Sequence, residues 1–314
     1  MHFGRVEDDK HLDLSLPEPR SRTLSYLGLP HQGRRLVYVG APIWAEKQWV
    51  GGLYPEGTRP SEFLRVYAQH HATVEYNGSF YHPPFPEQIR AWTRMVGPEF
   101  RFCPKVPQSI SHALSKPLDR PALTHYLSLL EHFGSHHGMS FLQLPDHFAP
   151  QHAPALERLL QAWSQQWPLA IEFRHPAWFR DQMLPDPLIN LLYRHKASAV
   201  ITDAPGRRDV LHMSLMCSQV MVRFLGCFPS SRDDQRLKAW AQRIQDWTQA
   251  GLDTVYFFVH QARHAAIPGT VDAMQRYCWE LGIPGLMRPA ETAIAEWDER
   301  TSGGPLAGLS REER

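Results

Sequence analysis

Eight short runs of apolar and β-branched residues, separated by helix-like segments, constrain the fold of this chain more than any other feature. They fall at 36–41, 73–77, 100–106, 139–145, 169–175, 198–203, 220–226 and 254–260. Strands alternating with helices favour a parallel sheet, and eight such units favour an α/β TIM-type (β/α)8 barrel. An open doubly wound sheet is the competitor. Its dinucleotide loop is missing, because the turn after the first run reads Val39-Gly40-Ala41-Pro42-Ile43-Trp44. The clearest helix spans 233–250, where Leu237, Trp240, Ile244 and Trp247 recur at three- and four-residue steps. Asp233 or Asp234 suits its start and Gly251 its end. Segments beginning at Ser61 and Pro86 repeat the pattern. The connection over 203–220 carries the weakest helical signal, so the barrel is expected to be irregular around strands six and seven.

The barrel domain is expected over 36–290. An N-terminal extension (1–35) would be laid over it, and a polar C-terminal tail (291–314) would follow. A hydrophobic content of 43% is enough for a large core. Lys and Arg number 33 against 32 Asp and Glu, which argues against a broad electrostatic footprint for duplex nucleic acid. No run approaches the roughly 18 apolar residues that a bilayer span needs, so no membrane partner is expected. The polar, acidic start does not fit a secretory signal, and Cys103, Cys217, Cys227 and Cys278 form no C-x-x-C pair. These features predict a cytoplasmic protein with reduced thiols.

Function is sought in the polar residues that interrupt the strands. Successive side chains point to opposite faces, so Ile171 and Phe173 share one face while Ala170, Glu172 and Arg174 share the other. A charged pair on a buried strand is costly unless it is matched or completed by a ligand. The same rule aims Glu75, Asn77, Lys105, Gln143, Arg223, Asp203 and His260 inward, mostly at the C-terminal ends of their strands, where barrel active sites are built. Three carboxylates (Glu75, Glu172, Asp203) are the catalytic candidates. Lys105, Arg174 and Arg223 would clamp an anion, with Asn77, His112 and Gln143 also binding substrate and Trp44, Tyr81 and Trp178 shaping the entrance. The alternative is a self-neutralising ion-pair network that merely closes the barrel mouth. Glu75, His112, Glu172, His175, Asp203 and His260 offer metal-ligand chemistry, yet the interspersed cations would repel a divalent ion and no H-E-x-x-H stands in the chain. No metal site and no cofactor is predicted, and a divalent metal stays the alternative. Walker, dinucleotide and G-x-S-x-G motifs are absent.

Taken together, the motifs resemble the YecE-like family, domain of unknown function 72. The resemblance is carried by Val39-Gly40-Ala41-Pro42-Ile43-Trp44, Trp49 with Tyr54-Pro55, Thr73-Val74-Glu75-Tyr76-Asn77-Gly78-Ser79-Phe80-Tyr81, and Lys105-Val106-Pro107 with Ile110-Ser111-His112. It continues through Gln143-Leu144-Pro145, Glu172-Phe173-Arg174-His175-Pro176-Ala177-Trp178-Phe179, Asp203 and Val222-Arg223-Phe224-Leu225-Gly226. It implies a TIM-type barrel and no particular activity. Where the family usually ends its last strand in paired asparagines, this chain has His260-Gln261. The expectation is an enzyme (hydrolase, lyase or isomerase) acting by acid/base chemistry on a small anionic, phosphorylated or sugar-like substrate. A metal-dependent, nucleic-acid-processing barrel resembling endonuclease IV and a non-catalytic ligand-binding module are the alternatives.

Overall fold

The computed structural model describes residues 3–4, 6, 11–19, 23, 26–27, 35–227, 232–283 and 285–286. The predicted tail over 291–314 lies outside them. All eight predicted runs form strands: β1 (Leu36–Gly40), β2 (Thr73–Tyr76), β3 (Arg101–Pro104), β4 (Ser140–Gln143) and β5 (Leu169–Glu172) come first. The sixth run is interrupted at Val200 into β6 (Ser198–Ala199) and β7 (Ile201–Asp203), and β8 (Gln219–Leu225) and β9 (Thr254–His260) complete the set.

Every pairing between these strands is parallel. One sheet has the order β1-β9-β8-β7, a second joins β2 to β3, and a third runs β4-β5-β6. Isolated parallel bridges, Ala41 to Val74 and Lys105 to Phe141, lie where β1 approaches β2 and β3 approaches β4. The Val200 amide, between β6 and β7, donates to the Ile171 carbonyl at 2.9 Å.

Helices fill the connections: α1 (Phe63–His70), α2 (Pro86–Thr93), α3 (Gln108–Ser111), α4 (Arg120–Glu131), α5 (Ala153–Ala162), α6 (Asp186–Arg194), α7 (Arg232–Gln249) and α8 (Ile267–Glu280). The predicted weak point is there, since only a single 3-10 turn, Arg208–Val210, stands between β7 and β8. The helix α7 forms because Leu237, Trp240, Ala241, Ile244 and Trp247 make one buried stripe. Burying side chains of this size stabilises by about 1.5–3 kcal/mol each. Asp233 and Asp234 in its first turn face the positive end of the helix dipole, and Gly251 ends it at φ +110°, where a side chain would be strained.

Strand parity sorts the core into two parts. Val37, Val39, Val74, Phe102, Leu142, Ile171, Ile201, Val222, Phe224 and Phe257 pack on the helix-facing side. Tyr38, Cys103, Phe141, Ala170, Val200, Met221, Tyr256 and Phe258 form a separate apolar layer on the opposite, inner face. Two residues beyond members of that inner layer, toward the C-terminal ends, come Lys105, Gln143, Glu172, Thr202, Arg223 and His260. The alternation of the strands therefore stacks a polar layer on an apolar floor.

Several described residues before β1 contact this body. Gly4 accepts a hydrogen bond from the Gly206 amide at 2.9 Å, Thr23 bonds the Met213 carbonyl at 2.9 Å, and Arg243 reaches the Pro17 carbonyl at 2.8 Å. Gly4 has φ +66°, and a Cβ there would come within 2.5 Å of Ala204, so only glycine seats the strap this closely.

Candidate active site

The polar layer is organised around Arg223, which is completely buried. Its Nε donates to Glu75 Oε2 at 2.9 Å and its Nη2 to Glu75 Oε1 at 3.1 Å, a two-pronged grip; Nη1 donates to Glu172 Oε1 at 2.8 Å. Such planar pairing suits arginine and makes these charge-assisted bonds strong. Around it, Asn77 Nδ2 donates to Glu75 Oε1 at 2.8 Å and Thr202 Oγ1 to Glu172 Oε1 at 3.0 Å. The His260 ring nitrogen Nε2 lies 3.2 Å from Glu75 Oε2. Gln143 and Glu172 are register partners on β4 and β5, and the Gln143 amide donates to Glu172 Oε2. The same oxygen sits 3.4 Å from Arg174.

Lys105 completes the cluster. It is 5% exposed, and its Nζ donates to the neutral Gln143 Oε1 at 2.8 Å. The ammonium also rests 4.1 Å from the centre of the Phe80 ring. Among the described residues, Arg223 and Arg174 pair with Glu75 and Glu172, whereas Lys105 is bound to the neutral Gln143 amide.

Titration follows from this arrangement. Burial alone would raise the Glu75 carboxyl, but Arg223 and His260 overcome it and hold Glu75 well below the usual carboxylate range. Glu172 is likewise pushed up by burial, then pulled down to about 2 by Arg174, Arg223 and the Gln143 bond. The Lys105 amine moves the other way, lowered to about 8 by burial and by Arg223. Burial also lowers the His260 ring, against the upward pull of Glu75.

Of the predicted substrate-binding residues, Asn77, Lys105, Gln143, Arg174 and Arg223 meet in this cluster. His112 and Tyr81 stand at its edge through Phe80: His112 packs 5.2 Å from that ring and Tyr81 5.0 Å, with Tyr81 largely exposed. Three expectations need correction. Asp203 points to the helix side, where Arg208, Arg236 and Trp240 bind its carboxylate. The inner position belongs to its neighbour Thr202. Trp44 packs against Tyr76, Trp92 and Phe102 on the helix-facing side, not at the mouth. Trp178 is buried against Phe148 and Phe173, with its indole N–H on the Phe148 carbonyl at 2.6 Å, so it braces a loop.

Parity counted on from Val200 would have found Thr202. No local signal marks Phe3, whose ring lies 4.5 Å from the Arg174 guanidinium and 4.7 Å from that of Arg207. Among the described residues, no group of three or more His, Cys, Asp or Glu is arranged to hold a metal. The reason is local: both oxygens of Glu75 and one of Glu172 are already bound to Arg223.

These features define an α/β protein of mostly parallel strands with a buried cluster of charged side chains at their C-terminal ends. The chain belongs to the DUF72 family, since residues 38–285 match the family described as "Protein of unknown function DUF72". It is similar to the UPF0759 protein YecE of Escherichia coli K12, with 27% identity over 264 residues that cover 78% of this chain and 92% of YecE. Two solved DUF72 structures share the fold. The Thermotoga maritima protein has a TM-score of 0.62 at 22% identity, covering 79% of this chain and all of its own. The Enterococcus faecalis protein has a TM-score of 0.64 at 17% identity, with 77% and 95% covered. None of these names states an activity. No helix among the described residues is long and apolar enough to cross a membrane.

Proposed function

We propose that this protein is an enzyme whose strands close into a TIM-type barrel and whose C-terminal mouth takes a small anionic substrate. The bridges at Ala41 and Lys105 support closure, because they fall between sheets that the remaining ladders leave separate. The observation that carries the functional reading is the buried Lys105 amine, bound among the described residues to a neutral oxygen. Buried charges in a purely structural network are matched, whereas Lys105 donates to a neutral amide. An anionic ligand supplies the missing negative charge.

In this reading Lys105 and Arg174 hold the anion, and Arg223 locks the two carboxylates behind it. Glu75 and Glu172 stay ionised at neutral pH and are weak bases, so they orient and polarise. Lys105, lowered to about 8, is the group poised to take up and release a proton. Asn77 and Gln143 fix the neighbouring side chains, while Tyr81 and His112 border the approach. A metal-dependent nuclease fits the donor set poorly, since its acidic ligands are committed to a guanidinium.

Calorimetric titration with oxalate and with inorganic phosphate at low ionic strength tests the proposal. The wild type should bind one of them, and Lys105→Met should weaken that binding by about tenfold or more, the loss of one charge-assisted contact. Equal affinity in the two proteins would remove the anion site.

A further inference from the structure

We propose that Lys105 is also a nucleophile, and that the substrate is a small carbonyl compound bearing an anionic group, such as a keto acid or a phosphorylated aldehyde, which forms an imine with its amine. The inference rests on the anion-pocket reading above and names the substrate class for that pocket. The geometry sets Lys105 apart from an ordinary anion contact. Its amine is buried, bound to one neutral oxygen at 2.8 Å, and covered on one side by Phe80 at 4.1 Å. The nearby carboxylate oxygens are engaged elsewhere. Both of Glu75 bind Arg223, Glu172 Oε1 binds Arg223, and Glu172 Oε2 binds Gln143 and Arg174.

Among the described residues no carboxylate hydrogen-bonds the ammonium, so little fixes its proton there, and the depressed pKa of the amine agrees. A desolvated lysine beside other cations is a standard way to free an amine lone pair. Gln143 holds that amine in place, because its oxygen accepts from Lys105 while its amide donates to Glu172. Arg174, whose guanidinium is the more exposed of the two in the cluster, is placed to hold the carboxylate or phosphate of the same molecule.

The step balances without a co-reactant. The Lys105 nitrogen lone pair attacks the carbonyl carbon, and the C=O π pair moves to oxygen. Both amine protons pass to that oxygen, the C–O bond breaks, and water leaves as the C=N bond forms. No oxidation state changes overall.

Glyoxylate with sodium cyanoborohydride, followed by peptide mass spectrometry, tests the inference on the full-length protein near neutral pH. The wild type should be trapped at Lys105 about tenfold or more faster than at exposed Lys238, since far more of the Lys105 amine is neutral there. The Lys105→Arg variant should lose that adduct and keep those on other lysines. Trapping at Lys105 no faster than at Lys238 would overturn the imine. A parallel titration with oxalate, which forms no imine, separates the two readings. Oxalate binding without trapping defeats the nucleophile and keeps the pocket, whereas trapping without oxalate binding defeats the pocket.

Discussion

Two buried charge clusters stand on opposite faces of the same strands, and they are built from nearly the same residue types. On the inner face Glu75, Glu172, Arg223, Arg174 and Lys105 meet. On the outer face Asp203 and Asp233 meet Arg236 and Arg208. The outer cluster is matched two against two, and its arginines are also tied to backbone. Arg236 reaches the carbonyls of Leu225 and Asp203, both at 3.1 Å, and Arg208 reaches that of Ser15 at 2.8 Å. Trp240 adds its indole N–H to Asp203 at 2.8 Å, and Asp233 accepts from the Cys227 amide at 2.8 Å. It is a clamp that fastens the start of α7 to the ends of β7 and β8. The inner cluster is also buried and its carboxylates are also held by arginines, yet its Lys105 is bound to the neutral Gln143 amide. Burial of charge does not by itself separate a site from a fastener; in the proposed reading the neutral partner of Lys105 does.

The largest expected effect comes from the group that both inner carboxylates share. Arg223→Met leaves Glu75 buried without its guanidinium and Glu172 with Arg174 alone, and should cost about 3–5 kcal/mol in urea unfolding. Arg236→Met strikes the outer clamp and should cost about 2–4 kcal/mol. It should leave anion affinity intact, so a matching loss of oxalate binding would erase the distinction between the clusters.

Acid and base should separate the faces further. Glu75, Glu172 and Asp203 all have folded pKa values below their ordinary ones. Their stabilisation is therefore fully present above about pH 4.5 and lost as pH falls through the lowered values, toward 2 for Glu172. Lys105 has the opposite sense. Between about 8 and its ordinary 10.5 the unfolded chain binds the proton that the folded chain has released, so stability should rise with pH in that window. Lys105→Met should flatten that rise and, at pH 7, stabilise by about 1–2 kcal/mol, the discounted cost of burying the charge. Chemical unfolding across pH 7–11 reads both effects against the overall alkaline trend of the protein.

The smallest effect concerns the strap. Phe3→Ala removes two cation–π contacts, with Arg174 and Arg207, both at partly exposed positions, and should change stability by about 1 kcal/mol or less. Modification of Arg174 by phenylglyoxal should nonetheless become faster, because the ring covers that guanidinium. An unchanged rate would show that Phe3 does not shield Arg174.

Much of the molecule was legible in the residues because period-two alternation is a local property. All eight strand runs and the inward aim of Glu75, Lys105, Gln143, Glu172 and Arg223 follow from it, and the stripe of α7 follows from the three- and four-residue helical step. Asp203 was misplaced because parity was judged at the strand end, whereas counting from Val200 puts Thr202 inside. Trp44 and Trp178 show a different limit. Which surface an aromatic side chain joins depends on partners far along the chain, and Phe148 lies 30 residues from Trp178. The contact of Phe3 with Arg174 spans still more sequence and leaves no pattern in either segment.

Residue-resolved titration of the lysine amines, by isotope-labelled NMR of the intact protein, tests the asymmetry between the clusters at its source. Lys105 should titrate near 8 while surface lysines titrate in their ordinary range near 10.5. A Lys105 amine that titrates with the surface lysines would mean that its charge is balanced, and the inner cluster would then be a fastener like the outer one.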